Sequence, residues 1–349
     1  MVKMEKVKLG NTNLYASKFG MGALAIGPSH RNLSVEEGSD VICYAVKKGI
    51  NVIDTAQAYD TYSYVAAAIK KLRKENLDKD LIISSKSLAQ NYSDMEKAVN
   101  DVLDKLDIEC IDIFFMHEVR SGQFEERFSA WQALIDAKKA GKIKAIGVST
   151  HHTDIVSQMA NVKECDIVFG LINYKGMGIR TGLTTEEISK IDERERRSTL
   201  VRHRCLDREG TTKEMEDAIH KLKESGKAFY AMKAFGGGNL LKEYTEALDY
   251  VYNNKEIDSI LIGYGSKEEV DNVIDYEKGT LQSDFIPNYM DKTLHVNRRD
   301  CEGCGRCIKT CPQGAISFGL DGLAEVDRSK CLTCGYCAMV CPNRAIIMF

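Results

Sequence analysis

Eight of the chain's twelve cysteines fall between Cys301 and Cys341, in two copies of one spacing. Cys301, Cys304, Cys307 and Cys311 run into Pro312, and Cys331, Cys334, Cys337 and Cys341 run into Pro342, so each copy reads C-x2-C-x2-C-x3-C-P. Three thiolates on one tight loop each reach a different iron of a cubane, and the fourth, after a turn, points toward the neighbouring cluster. The spacing therefore assigns Cys301, Cys304, Cys307 and Cys341 to one 4Fe–4S cluster and Cys331, Cys334, Cys337 and Cys311 to another. Zinc fits poorly, because a tetrahedral site takes its ligands as two pairs and leaves the third closely spaced cysteine unexplained. Gly303, Gly305 and Gly335 let the backbone wrap closely and aim N–H groups at the sulfurs, which lowers the cost of buried negative charge.

Over residues 290–349 this segment resembles the bacterial two-cluster ferredoxins. The likeness extends to the apolar pieces Ala315-Ile316-Ser317-Phe318 and Ala345-Ile346-Ile347-Met348 that follow each Cys-Pro. Such domains move electrons one at a time. The segment holds eight Lys/Arg and six Asp/Glu, and two clusters with their thiolates, at about −2 each, leave it only mildly acidic.

Thiols that must stay available as ligands suit a reducing compartment. Met1 to Gly10 lacks the apolar core of a signal peptide and no later run is long enough to span a bilayer, so the chain is expected in the cytoplasm. A net charge of −3 supplies no basic field for nucleic acid, and no lysine-rich amphipathic segment suggests a membrane surface. At 349 residues, with 44% hydrophobic residues, the chain suits a barrel-sized domain plus an appendage.

Residues 1–285 show that larger domain. Apolar, β-branched runs end at Gly22, Asp54, Lys86, His117, Ser149, Asn173, Lys233 and Gly263, mostly at steps near thirty residues. They read as buried parallel strands. Between them lie amphipathic helices, with capping boxes predicted at Ser34 to Glu37, Ser93 to Glu96 and Ser266 to Glu269. Eight such units predict an α/β fold, a (β/α)8 barrel followed by an α+β ferredoxin-like domain. A doubly wound dinucleotide-binding sheet would show G-x-G-x-x-G after its first strand, and none is present. Lys6 to Tyr15 reads as a β-hairpin plugging the barrel bottom. One step of about 60 residues marks an insertion near 175–212. There Arg194, Arg196, Arg197, Arg202, Arg204 and Arg208 alternate with Asp192, Glu193, Glu195 and Asp207. A solvated helix is the plainer reading, and a flap over the barrel mouth or a docking surface for the ferredoxin domain the sharper one.

Asp54 and Tyr59 after the second strand, Lys86 after the third and His117 after the fourth should converge at the C-terminal face of such a barrel. A phenol is a poor acid at neutral pH; Lys86 beside it is expected to lower its pKa, Asp54 to hold the lysine, and His117 to orient a carbonyl oxygen. That set suits protonation of an alkoxide as hydride reaches carbon. Gly49 to Tyr59, reading GINVIDTAQAY, is similar to the aldo-keto reductase signature, and Lys86 and His117 complete that family's tetrad. The segments 141–149 and 231–238 also resemble family segments, and the resemblance spans roughly residues 3 to 280, a barrel's length. Within the family the chain looks like the iron–sulfur branch.

The resemblance implies an extended NADP or NAD over the barrel mouth, with Gly22, Ser149 and Asn173 near the nicotinamide. It places Gly236, Gly237 and Gly238 near the pyrophosphate. Lys233 is either a phosphate partner or a surface charge. Leu171, Met232 and Gly265 depart from the family, standing where many relatives have a carboxamide-binding glutamine, a stacking tyrosine and a 2′-phosphate arginine. Lys267 is the candidate to compensate at the last position, with Ser266 beside it as a further nucleotide contact, against Glu269, which would repel a phosphate. Flavin at the same mouth is compatible with the sequence. His151 and His152 follow the fifth strand as either loop caps or ligand contacts. Cys43, Cys110, Cys165 and Cys205 lack cluster spacing and read as structural thiols.

These features support an oxidoreductase interconverting a small-molecule carbonyl and alcohol, linked through its clusters to an electron-carrier protein. A ferredoxin-driven variant using flavin, an electron-transfer or scaffold protein with an idle barrel, and clusters that only stabilise the fold stand as alternatives.

Overall fold

The computed structural model describes residues 4–192, 206–288, 293–331, 336–341, 343 and 345–348. Eight parallel strands close into a barrel: β1 (Phe19–Gly22), β2 (Val52–Asp54), β3 (Ile82–Ser87), β4 (Ile111–Met116), β5 (Ile143–Thr150), β6 (Ile167–Leu171), β7 (Ala228–Met232) and β8 (Ser259–Ile262). Each is followed by a helix: α1 (Val35–Lys47), α2 (Tyr62–Lys74), α3 (Tyr92–Leu106), α4 (Phe128–Lys139), α5 (Thr153–Met159), α6 (Thr212–Glu224), α7 (Tyr244–Tyr252) and α8 (Lys267–Glu277). The register joins β8 to β1 through Leu261 opposite Gly20 and carries round to β7 against β6.

The strands read as continuous apolar runs because both faces are buried. Ile113 and Phe115 of β4 point into the barrel with Val52, Ile82, Phe169 and Tyr230, while Phe114 and Met116 face the helices. Closure needs a glycine at one crossing, since a Cβ on Gly147 in β5 would stand 1.8 Å from the Ile167 carbonyl oxygen of β6. The hairpin Lys6–Lys8 with Tyr15–Ser17 pairs antiparallel and carries Leu9 and Leu14 into the barrel's inner core, closing its lower end as expected. Gly10 at its turn takes a φ of +50° beneath the Gly226 carbonyl, where no side chain fits.

Two predicted caps differ. Asn91, not Ser93, caps α3: its Oδ1 accepts the Asp94 N–H at 3.0 Å and the Ser93 hydroxyl at 2.9 Å. Ser266 does cap α8, but the Glu269 carboxylate bonds the Gly265 N–H at 2.7 Å and Arg31 at 3.1 Å rather than closing the box. Ser34 and Glu37 make the full box at α1. The insertion rises from a small hairpin, Arg180–Gly182 against Asp207–Glu209, with a short helix at Thr185–Lys190. Within it, Arg194, Arg196, Arg197, Arg202, Arg204, Glu193 and Glu195 lie outside the described residues, as does Cys205.

The C-terminal unit pairs Leu294–Val296 with Ile346–Met348 and Ile316–Phe318 with Ala324–Val326. Short helices at Arg306–Thr310 and Tyr336–Met339 complete an approximate internal repeat. Its core mixes Leu294, Val296, Ile316 and Ile346 with Cys307 and Cys337. Among the described residues, no helix is long and apolar enough to cross a membrane.

Candidate active site

Parallel strands all end on one rim, so a polar residue at each strand end projects toward a common centre. Asp54 closes β2, Lys86 lies near the end of β3, His117 follows β4, and Tyr59 ends the short turn Gln57–Tyr59. Lys86 Nζ donates to Asp54 Oδ2 at 2.5 Å and to the Thr55 carbonyl at 2.8 Å, and the Ser84 hydroxyl donates to Asp54 Oδ1 at 2.7 Å. The same ammonium lies 4.6 Å from the centre of the Tyr59 ring and 5.3 Å from that of Phe169. His117 meets Tyr59 edge to face, with ring centres 5.7 Å apart. Asp54 and Lys86 are 3% and 1% exposed, and Tyr59 is half-buried at the opening. The four candidates come together as the sequence expects.

Burial pushes the Asp54 carboxyl up and the Lys86 ammonium down, each opposed by the other's charge. Burial also lowers the His117 imidazole well below its usual value, helped by Lys86, Arg127 and Arg299, so the ring is neutral. Its Nδ1 is buried with no partner among the described residues. The Tyr59 phenol moves opposite to the sequence expectation: burial, then the Asp54 and Glu118 carboxylates, raise it well above the usual value. Lys86 does not reverse this because its charge is engaged by Asp54 and Thr55, and it meets the face of the phenol ring.

The four groups open into a cleft of about 1280 Å³, above the roughly 300–1,000 Å³ of ordinary small-molecule sites. Gly22, Ser149, Lys233, Gly237 and Gly238 line it, as expected of nucleotide contacts; Asn173, Gly236, Ser266 and Lys267 do not. The fully buried Asn173 amide is taken up by the Met177 backbone, accepting its N–H and donating to its carbonyl, both at 2.9 Å. Lys267 Nζ lies 5.7 Å from the centre of the Tyr44 ring on α1, so it does not replace the missing arginine at Gly265. Arg31 does reach that place: a Cβ on Gly265 would meet its Nε at 2.5 Å. Ser149 accepts the Glu118 N–H at 3.0 Å. The room in the cleft and the bare backbone at Gly237 and Gly238 fit an extended nucleotide with a substrate beside it.

Arginines that shape this site carry no sequence signal. Arg127, 2% exposed at the start of α4, donates to the His117 carbonyl at 2.9 Å and to Ser87 and Ala89 carbonyls, fixing the ends of β3 and β4. His152 is a buried fastening rather than a cleft base: Ser121 Oγ lies 2.8 Å from its Nδ1 and Asp207 3.5 Å from its Nε2. It thereby ties the insertion's hairpin to the barrel rim. Leu183, Ile191, Leu206 and Asp207 of that insertion line the cleft, as a flap would.

The C-terminal unit also forms part of the cleft, through His295, Asn297, Arg299, Asp300, Cys301, Cys304 and Ile347. Cys301, Cys304, Cys307 and Cys341 surround a small void of their own with Gly303 and Gly305. Backbone N–H groups of Ala324 and Ala345 donate to the sulfurs of Cys301 and Cys341 at 3.4 and 3.2 Å, and that of Ala315 to Cys311 at 3.3 Å. Thiols spaced around a void and met by N–H donors fit a multi-iron cluster. Cys331 and Cys337 lie in the same core, and Cys334 is outside the described residues. Cys43 and Cys165 are buried and Cys110 half-buried, as structural thiols are.

Residues 18–289 match the Aldo/keto reductase family and residues 293–342 a 4Fe-4S dicluster domain. L-galactose dehydrogenase of Arabidopsis thaliana is 24% identical over 286 residues, 78% of this chain and 87% of that protein. The NADH-specific methylglyoxal reductase of Escherichia coli (strain K12) is 28% identical over 188 residues, 47% of this chain and 58% of that protein. A crystal structure of a Bombyx mori aldo-keto reductase in complex with NADP shares the fold with a TM-score of 0.55 and 16% identity, covering 83% of this chain and 91% of that one. The chain belongs to the aldo/keto reductase family, an oxidoreductase barrel carrying a 4Fe-4S dicluster domain at its C-terminal end.

Proposed function

We propose that the protein reduces a small-molecule carbonyl to an alcohol at the barrel mouth, with Tyr59 as the proton donor. The observation that carries this is the buried Asp54–Lys86 pair, 2.5 Å apart, lying under the ring of a phenol that opens into the cleft. Burial keeps the Tyr59 phenol protonated at neutral pH, so the proton to be donated is in place when a carbonyl binds. As negative charge grows on the substrate oxygen, the Lys86 ammonium stabilises it, while Asp54 keeps the lysine fixed. Neutral His117 orients the carbonyl, with Arg127 holding the strand end that carries it. A nicotinamide bound in the cleft supplies the hydride.

Gly22, Ser149, Gly237, Gly238 and Lys233 are the residues placed to hold that nucleotide, and Ser149 keeps a hydroxyl proton to donate toward it. The relatives named above include one NADH-specific enzyme and one NADP complex, which supports a nicotinamide without choosing between the two. The two clusters supply one-electron transfer, with Cys301, Cys304, Cys307 and Cys341 as one ligand set and Cys311, Cys331, Cys334 and Cys337 as the other.

The test is label transfer. Anaerobically purified holoprotein is given C4-deuterated NADH or NADPH with a panel of aldehydes and ketones, and the alcohol is analysed by mass spectrometry. Deuterium on the carbinol carbon is expected; alcohol that forms without it would remove hydride transfer from the account.

A further inference from the structure

The cleft has two unlike walls. The barrel supplies Tyr59, Lys86, His117 and Lys233, and the C-terminal unit supplies Cys301, Glu302, Cys304, Arg306 and Asn343. Those two cysteines also border the small void enclosed with Cys307 and Cys341, so two ligands of one set face both that void and the cleft. Cys311, Cys331 and Cys337 of the other set do not line the cleft. The segment just before Cys301 is tied to the barrel: Arg120 pairs with Asp300 at 3.4 Å. Asp300 in turn accepts from Asn297 through its carboxylate at 2.6 Å and from Asn343 through its carbonyl at 3.0 Å. A Cβ on Gly237 would touch Ile347 at 3.5 Å, so strand Ile346–Met348 seats against the glycine turn.

From this placement we infer that the cluster held by Cys301, Cys304, Cys307 and Cys341 is the inner one and exchanges electrons with the group bound beside Tyr59. The cluster of the second set is the outer relay, recharged by a low-potential one-electron carrier protein. The inference rests on the reading that both sets hold 4Fe–4S clusters and that Tyr59 donates the proton. The electrons balance: each reduced cluster gives one, and two electrons with two protons, one from the Tyr59 phenol and one from water, take a carbonyl to an alcohol. The barrel thereby has a second source of reducing equivalents besides hydride, through the cysteine-bearing wall of the cleft.

The test is a potentiometric EPR titration of the anaerobic, full-length holoprotein. A cation near a cluster stabilises its reduced, more negative form. Lys233→Met removes such a cation from the cleft, so the inner cluster's midpoint potential should fall and the outer one's stay. Lys330→Met, beside Cys331, should move the other signal, which assigns the two without touching a ligand. Cys304→Ser, altering the inner signal, and Cys311→Ser, altering the outer one, make the same assignment independently. A shift confined to the signal that Lys330→Met also moves, or no shift with Lys233→Met, overturns the inference. Label transfer from nucleotide with an unmoved potential removes the wiring alone; a moved potential without label transfer removes hydride transfer alone.

Discussion

Lys86 shows how much of this site's character comes from a single pairing. Its ammonium is almost wholly buried and is satisfied by Asp54 and the Thr55 carbonyl. Removing one member of such a pair leaves the other charge buried alone, at a cost of about 3–5 kcal/mol. Lys86→Met should therefore lower the barrel's stability by about that amount, and Lys86→Met with Asp54→Leu should recover much of it; chemical denaturation followed by circular dichroism checks both. The four tetrad positions could be found in the sequence because each sits at or just past the end of an apolar run. The direction of the Tyr59 shift could not, since it is set chiefly by how deeply the phenol is buried and then by the Asp54 and Glu118 carboxylates, which only coordinates show. Arg127, Arg31 and Arg299 were equally silent: a lone arginine in a loop or at a helix start has no spacing that marks it.

At the scale of elements, the strands and helices follow from periodicity, and the errors lie at their ends. Ser93 and Glu96 have the capping-box spacing, but Asn91 offers its side-chain oxygen two residues earlier and takes the role. Most of the insertion's charge run, on which the solvated-helix reading rests, lies outside the described residues. Its base lines the cleft through Leu183, Ile191, Leu206 and Asp207 as the flap reading expects, fastened by His152. Burial depresses the His152 pKa to about 4, against a usual 6.5. The unfolded chain then takes up a proton between those two values while the folded one resists it, so the stability His152 contributes is full above pH 6.5 and is lost as pH falls toward 4. The melting temperature should drop across that window, and His152→Gln should make the drop shallower. An unchanged slope would take His152 out of the fastening.

For the whole molecule, two repeats specified most of the architecture: one near thirty residues gave the barrel and one of cysteine spacing gave the cluster domain. How the two units sit together was not legible. Their junction is made by contacts such as Arg120 with Asp300 and Gly237 with Ile347, which have no pattern in one sequence. Yet that junction gives the cleft both a proton donor and a cluster wall. Whichever source delivers the electrons, one proton comes from the Tyr59 phenol. The most direct measurement is therefore kcat/KM for carbonyl reduction by Tyr59→Phe, beside wild-type holoprotein of equal iron content. Loss of about 10²- to 10⁴-fold is predicted, with both cluster signals intact; turnover within a few-fold of wild type would contradict the account.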